Sequence, residues 1–312
     1  MNLFFRRMAL QSRLRDGLAR RGYAEVMTNC LQESAGTDAE IEPFTVDYRP
    51  LMEPAPAGRP LHLHTSPEFA MKRLLCRGAG PIFSIGPAFR QGERGPFHTP
   101  EFCMAEWYRP GWDWRPLLAE VEELAAEVTG GRVTADGREV RLAPPFPRFT
   151  LDEAFAAAGV DPRSRELIRG SDEREAREKF YRAFVDRVEP WLAGQGAVFL
   201  TDFPPALAML ARLAPGGHSA ERFELIVAGV ELANGATELT DPAEYRRRFA
   251  ADRAARAAAG KPATPLPEAF LKDLDQPGLS PCAGVALGVD RLAMLAVGAN
   301  RVDEVQALPF LN

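Results

Sequence analysis

Apolar positions in the first twenty residues recur at helical spacing. Phe4, Met8, Leu14 and Leu18 fall on one stripe, and Gly22 marks a stop. Residues 23–29 (YAEVMTN) read as a strand, and residues 36–60, rich in Pro, Gly and charge, as a loop. A helix is predicted over Pro67–Arg77, its proline tolerated in a first turn after Thr65 or Ser66. Strands follow at about Ile82–Phe89 and Glu101–Arg109, joined by the polar loop RQGERGPFHTP. A long helix runs from Asp113 to Gly130, and residues 131–150 read as irregular. The segment 151–220 is helical in flavour, clearest over residues 172–188, with a short strand at 197–203; it reads as an insertion in one domain spanning 1–312. FELIVAGVELANG predicts strand, turn and strand. Over Asp241–Gly260, Asp241 suits a cap, Pro242 the first position and Glu244 a capping box. The chain closes on GVALGVDRLAMLAVG, a glycine-rich strand entering a helix. A mostly antiparallel sheet flanked by helices would bring these distant elements together, which makes the fold α+β.

Composition narrows the possibilities. The 312 residues carry a formal net charge of −5, so no global basic field draws nucleic acid. Four cysteines (Cys30, Cys76, Cys103 and Cys282) form no CxxC pair and have no neighbouring His at ligand spacing. That argues against a zinc site or a disulfide framework and fits a reducing cytoplasm. No apolar run approaches the roughly 18 residues of a membrane span.

The candidate chemistry lies where charge enters apolar strands, because an unpaired buried ion is costly. Between Thr65 and Tyr108, Glu68, Arg90, Glu93, Glu101 and Glu106 sit among Phe, Ile, Met and Trp, a pattern suited to gripping an ammonium and a phosphate. Alternation places Phe102, Met104, Glu106 and Tyr108 on one strand face, where a carboxylate and a phenol can hold an ammonium. Arg90 ends a strand with a fork suited to phosphate, and Arg291 opens the last helix behind Gly284 and Gly288. Glu231 and Glu238 flank Asn234-Gly235, read as a hairpin turn over which both could meet a divalent cation. His98 is a candidate phosphate contact. Taken singly, each has a plainer explanation: a solvated edge-strand acid, a salt-bridged arginine, an ordinary hairpin.

In combination, and in this order, they resemble one family. SPEFAMKRLL, FRQGERGPFHTPEFCMAEWYRPG, GVELANGATELTD and GVALGVDRLAML are similar to the catalytic core of class II lysyl-tRNA synthetases, and most of all to stand-alone elongation factor P–lysine ligases. The resemblance covers nearly the whole chain. It implies a class II antiparallel sheet without an anticodon-binding domain, since the core helix begins within the first few residues. It also implies ATP and Mg²⁺, a lysine or (R)-β-lysine substrate, elongation factor P as acceptor in place of tRNA, and a cytoplasmic homodimer. Carried over by position, Arg90 lies at the α-phosphate and Arg291 at the terminal phosphates. Gln91, Gly92, Glu93, His98, Thr99, Leu232 and Gly288 belong to the nucleotide site. Glu231 and Glu238 lie at the metal. Ser66, Pro67 and Glu68 face the substrate's backbone amino group, Glu106 and Tyr108 its side-chain ammonium, with Glu238 and Ala286 alongside. Three positions depart from the family. Gly92 stands where the adenine-reading Glu is usual, with Glu93 beside it. Asn29 replaces the Pro of the first motif, and Ala286 replaces a Gly, a methyl that would reshape the pocket towards a β-amino acid. A truncated tRNA-charging enzyme and a catalytically silent synthetase-like subunit are the alternatives.

Overall fold

The computed structural model of the protein describes residues 2–48, 60–160 and 174–309. Helix α1 (Asn2–Arg20) leads into β1 (Ala24–Glu25), then β2 (Leu31–Gln32), β3 (Thr45–Val46) and β4 (Leu61–Leu63). Helix α2 (Glu68–Cys76), strands β5 (Ile82–Phe89) and β6 (Glu101–Pro110) and helix α3 (Trp114–Thr129) follow, near the predicted bounds. Next come β7 (Arg132–Ala135), β8 (Arg138–Arg141), β9 (Arg148–Thr150) and α4 (Leu151–Ala157). Helix α5 (Arg174–Ala183), a π-helical turn (Phe184–Val188) and α6 (Glu189–Ala193) precede β10 (Ala197–Phe203), β11 (Ala220–Val227) and β12 (Val230–Thr237). The chain ends with α7 (Pro242–Ala258), α8 (Glu268–Asp275), β13 (Cys282–Gly288) and α9 (Val289–Val297).

Eight strands form one sheet in the order β1-β5-β6-β13-β12-β11-β10-β9, antiparallel except at its two edges. Its rear face packs on α1, α3 and α9 through Leu14, Leu18, Phe83, Trp107, Val121, Phe223 and Leu292. Two separate cores sit on the front. Around β10, Phe155, Phe180, Leu192, Val198 and Leu200 pack together; near β5 and β6, Met71, Tyr108, Tyr245, Phe249 and Phe270 do so. Between these two cores the front face lies open.

Several expectations are corrected. The stripe of α1 is Leu10, Leu14 and Leu18, while Met8 is exposed, because two residues from Leu10 is about 200° around the helix. The strand expected over 23–29 pairs at only two residues, and Met27 is exposed. Residues 131–150 are not irregular: β7 and β8 form a hairpin whose Asp136-Gly137 turn has φ of 48° and 73°, as a primed turn requires. The expected helix over 172–188 is described from Arg174 onwards. The strand expected at 197–203 is present as β10, and it is a full strand of the main sheet, antiparallel to β11 and parallel to β9. Asn234-Gly235 is not a turn but the middle of β12; the turn lies at Ala228-Gly229, with φ of 50° and 81°. Gly235 is needed because a Cβ there would fall 2.4 Å from Phe223 Cζ. Asp241 caps α7 by accepting from Ala243 N–H, but Glu244 forms no box, its carboxylate being taken by Arg247 and Arg248.

Candidate active site

The pleat of the sheet builds the site. Ser84, Glu106, Ala286, Asn234, Glu224 and Leu200 stand opposite one another on successive strands from β5 to β10, a row straight across the front face. A parallel row holds Ile82, Tyr108, Gly284, Ala236 and Arg222. The two front cores wall a cavity of about 740 Å³ over these rows. Its third wall is loop 35–41, held by wholly buried Arg256, which donates to the carbonyls of Asp38 and Ile41 and to the Glu42 carboxylate.

One end of the cavity is acidic. Ser66 Oγ accepts from Glu68 N–H at the start of α2 and donates to Glu106 Oε2 at 2.6 Å. Tyr108 Oη donates to Glu106 Oε1 at 2.6 Å. Burial, then the charge of Glu68, pushes the Glu106 carboxyl up to about 7, against the pull of these two donors. Behind it, Lys72 Nζ reaches Glu68 at 2.5 Å and Glu238 at 2.6 Å. Burial also pushes Glu238 up to about 7, although Lys72 opposes this. Gly284 has no room for a side chain: a Cβ would sit 2.3 Å from the Tyr108 ring and 2.5 Å from Glu238 Oε1. Ala286, with its methyl, pairs directly with Glu106.

The other end is basic. Arg90 lies 5.2 Å over the Phe102 ring and 3.5 Å from Glu93. Arg291 donates to the carbonyls of Phe97 and Glu231 and lies 2.6 Å from His98 Nε2. Burial and the Arg291 charge lower the His98 pKa, which leaves that ring neutral. Thr99 and Gly288 border the same end. Leu232 does too, although its side chain belongs to the rear core. Gln91 and Gly92 do not line the cavity: both are exposed, Gly92 turns the loop at φ 84°, and Glu93 is the acid that faces inward. Pro67 lies outside the lining as well, at the mouth of α2.

The pair expected at a cation separates. Glu238 is ion-paired with Lys72 at the acidic end, whereas Glu231 lies 3.9 Å from Arg291. On the sheet, the acid close to Glu231 is Glu224, across the Ala228-Gly229 turn, with Glu189 of α6 also within reach of its charge. Leu232 is the extra residue of a bulge opposite Leu225 and Ile226, and this shift returns Glu231 to the front face. Burial and then the Glu231 charge raise Glu224 to about 7, while Arg222 pulls it down. Arg222, stacked 4.1 Å over Phe203, holds Glu224, the Asn234 side chain at 3.1 Å and the Leu207 carbonyl at 2.8 Å. Glu224, Arg222 and Asn234 were missed from sequence, although period-2 alternation through RFELIV points to the first two. Lys72 was also missed; its i,i+4 spacing from Glu68 was the available signal.

A sheet of this order, with an arginine just past the strand that enters the loop and another opening the helix after the last strand, defines a class II synthetase core. The family model "tRNA synthetases class II (D, K and N)" matches residues 1–312, and the chain belongs to that family. It is similar to the elongation factor P–(R)-β-lysine ligase of Proteus mirabilis strain HI4320, 40% identical over 304 residues that cover 96% of this chain and 92% of the relative. Enzymes of the same name from Edwardsiella ictaluri and Salmonella arizonae are 39% and 38% identical, each over 97% of this chain and 93% of the relative.

Proposed function

We propose that this chain activates lysine or (R)-β-lysine with ATP and transfers the acyl group to a lysine side chain of elongation factor P. The observation that carries the reading is one cavity with a buried Glu106–Tyr108–Ser66 ammonium pocket at one end and Arg90 with Arg291 at the other. The substrate carboxylate is already a nucleophile. It attacks the α-phosphorus of ATP, the P–O bond to pyrophosphate breaks, and an aminoacyl-adenylate forms. Arg90 and Arg291 offset the charge that develops on the phosphate oxygens, and the two ends hold the reactants in line. The acceptor ε-amine then attacks the activated carbonyl, AMP leaves, and the nitrogen gives up a proton. An uncharged analogue would leave Glu106 buried and unpaired, which sets selectivity.

Glu224 and Glu231 suit a Mg²⁺ ion that arrives with ATP: two front-face acids at the phosphate end, each with an arginine beside it. The two carboxylates would hold the ion beside the phosphates, where it would neutralise their charge. A cytoplasmic homodimer belongs to the same reading; no helix of the described residues is long and apolar enough to cross a membrane.

The test is ATP–pyrophosphate exchange with lysine and β-lysine, followed by transfer of label to elongation factor P or to tRNA. Exchange with a diamino acid and label on elongation factor P are expected. Label on tRNA, or no exchange with any amino acid, would overturn the proposal. Glu106→Gln should raise the amino-acid KM by roughly 30-fold or more, the cost of cutting a buried charge pair, with the ATP KM little changed.

A further inference from the structure

We propose that Lys72 is a positioning residue of the substrate pocket, a fixed internal cation that clamps one oxygen of Glu68 and one of Glu238 and so presents their other oxygens to an amino acid bearing two ammonium groups. This rests on the reading above and deepens it. Lys72 is wholly buried, and its Nζ lies 2.5 Å from Glu68 Oε1, 2.6 Å from Glu238 Oε2 and 3.1 Å from Tyr245 Oη. An ammonium has three donors, and these three oxygens account for them. The clamped acids come from separate elements: Glu68 opens α2, and Glu238 follows β12, where its backbone N–H donates to the Cys282 carbonyl. Without a cation between them, two carboxylates at this separation would repel and turn apart.

Both residues line the cavity, and each has one oxygen that Lys72 does not clamp. Glu238 Oε1 sits over Gly284, in the space a Cβ would share with the Tyr108 ring, and Tyr108 in turn holds Glu106. Among the described residues neither Glu238 Oε1 nor Glu68 Oε2 accepts a hydrogen bond. Charge matching gives the substrate class. Glu68, Glu106 and Glu238 face the single Lys72, so the ionised pocket carries two negative charges in excess. A diamino acid supplies two ammonium groups and leaves nothing unpaired; a monoamine strands one buried carboxylate. Lys72 thus takes part in selectivity through the acids it holds. Arginine would not serve, since its flat fork cannot place three donors around one point.

The experiment compares wild type with Lys72→Met, using calorimetric binding of lysine and β-lysine and ATP–pyrophosphate exchange with lysine, norleucine and 6-aminohexanoate. Losing the clamp should raise the diamino-acid KM by roughly 30-fold or more and cut the preference for diamino acids over both monoamines by a similar factor. The ATP KM should stay within about two-fold, since the phosphate end is untouched. If Lys72→Met does not fold, Lys72→Arg keeps the charge and should still raise the diamino-acid KM about ten-fold by misplacing the oxygens. Unchanged diamino-acid KM and preference in the folded variant would overturn this inference alone. A wild-type protein that binds neither diamino acid would overturn the proposed function, and this inference with it.

Discussion

Glu106 has two neutral donors and no bonded cation, and its carboxyl is pushed up to about 7 by burial and by Glu68. In the unfolded chain it returns to the ordinary value of 4.5, so the folded protein binds the proton more tightly. Stability from this group is therefore fully present at low pH and is lost as pH rises between those values. A Tm series from pH 5 to about 8 should fall more steeply in the ligand-free wild type than in Glu106→Gln. Ligand binding has the opposite sign. An ammonium needs the ionised carboxylate, so the amino-acid KM should drop as pH climbs through about 7 and level off above it, and Glu106→Gln should flatten that profile. Gly284 gives a steric counterpart. Gly284→Ala would drive a methyl into the Tyr108 ring and Glu238, and should abolish exchange while the ATP affinity persists. Glu106 and Tyr108 were legible because alternation alone puts them on one face. Lys72 was not, because a lysine at i,i+4 from a glutamate usually marks a solvated helix surface, and its complete burial arises only when α2, β12 and α7 converge.

Several elements whose signal was local were read correctly from sequence, although the Asp136-Gly137 hairpin, equally local, was not. The Asp113 cap accepts from Arg115 N–H, and Gly130 ends α3 at φ 73°. The glycine-rich strand at the end does enter a helix directly. Elements set by long-range packing were misread. Asn234-Gly235 has the dipeptide of a hairpin turn, yet the Phe223 ring claims that glycine for the middle of a strand. This error carried into chemistry, for it set Glu231 against Glu238, whereas the true turn pairs Glu231 with Ile226 and so leaves Glu224 as its diagonal neighbour on the front face. One link between elements bears on nucleotide binding. Arg7 of α1 reaches Asp290 of α9 at 2.6 Å, and Asp290 also accepts from Cys103 N–H on β6. The helix that presents Arg291 is thereby tied to both its neighbours. Arg7→Met would leave Asp290 buried without its cation, a loss of about 3 kcal/mol. A lower Tm and a several-fold higher ATP KM, with the amino-acid KM unchanged, are the expected readings.

The whole molecule leaves apolar side chains outside on its α1 edge. Phe5 and Met8 are exposed on α1 and Met27, just past β1, is 96% exposed. The proposed homodimer would cover them, so light scattering should give twice the chain mass, and Phe5→Glu with Met27→Glu should return it to one. The fold class was legible at this scale because acids and arginines about 200 residues apart have chemical meaning only if one sheet joins them. The strand at 197–203 was legible, but its place in the main sheet as β10 was not, nor was the three-residue edge strand β9 beside it, because both depend on pairing between segments distant in sequence. The row from Glu106 to Glu224 has a further consequence. Each step along it is one strand spacing of about 4.8 Å, so three steps separate the two acids by about 14 Å. The sheet is thus a ruler whose graduations are strands. Replacing side chains along it can alter which charge is read at either mark, but the interval between marks is set by strand order. A substrate longer or shorter by one such interval calls for a different topology, not a different residue.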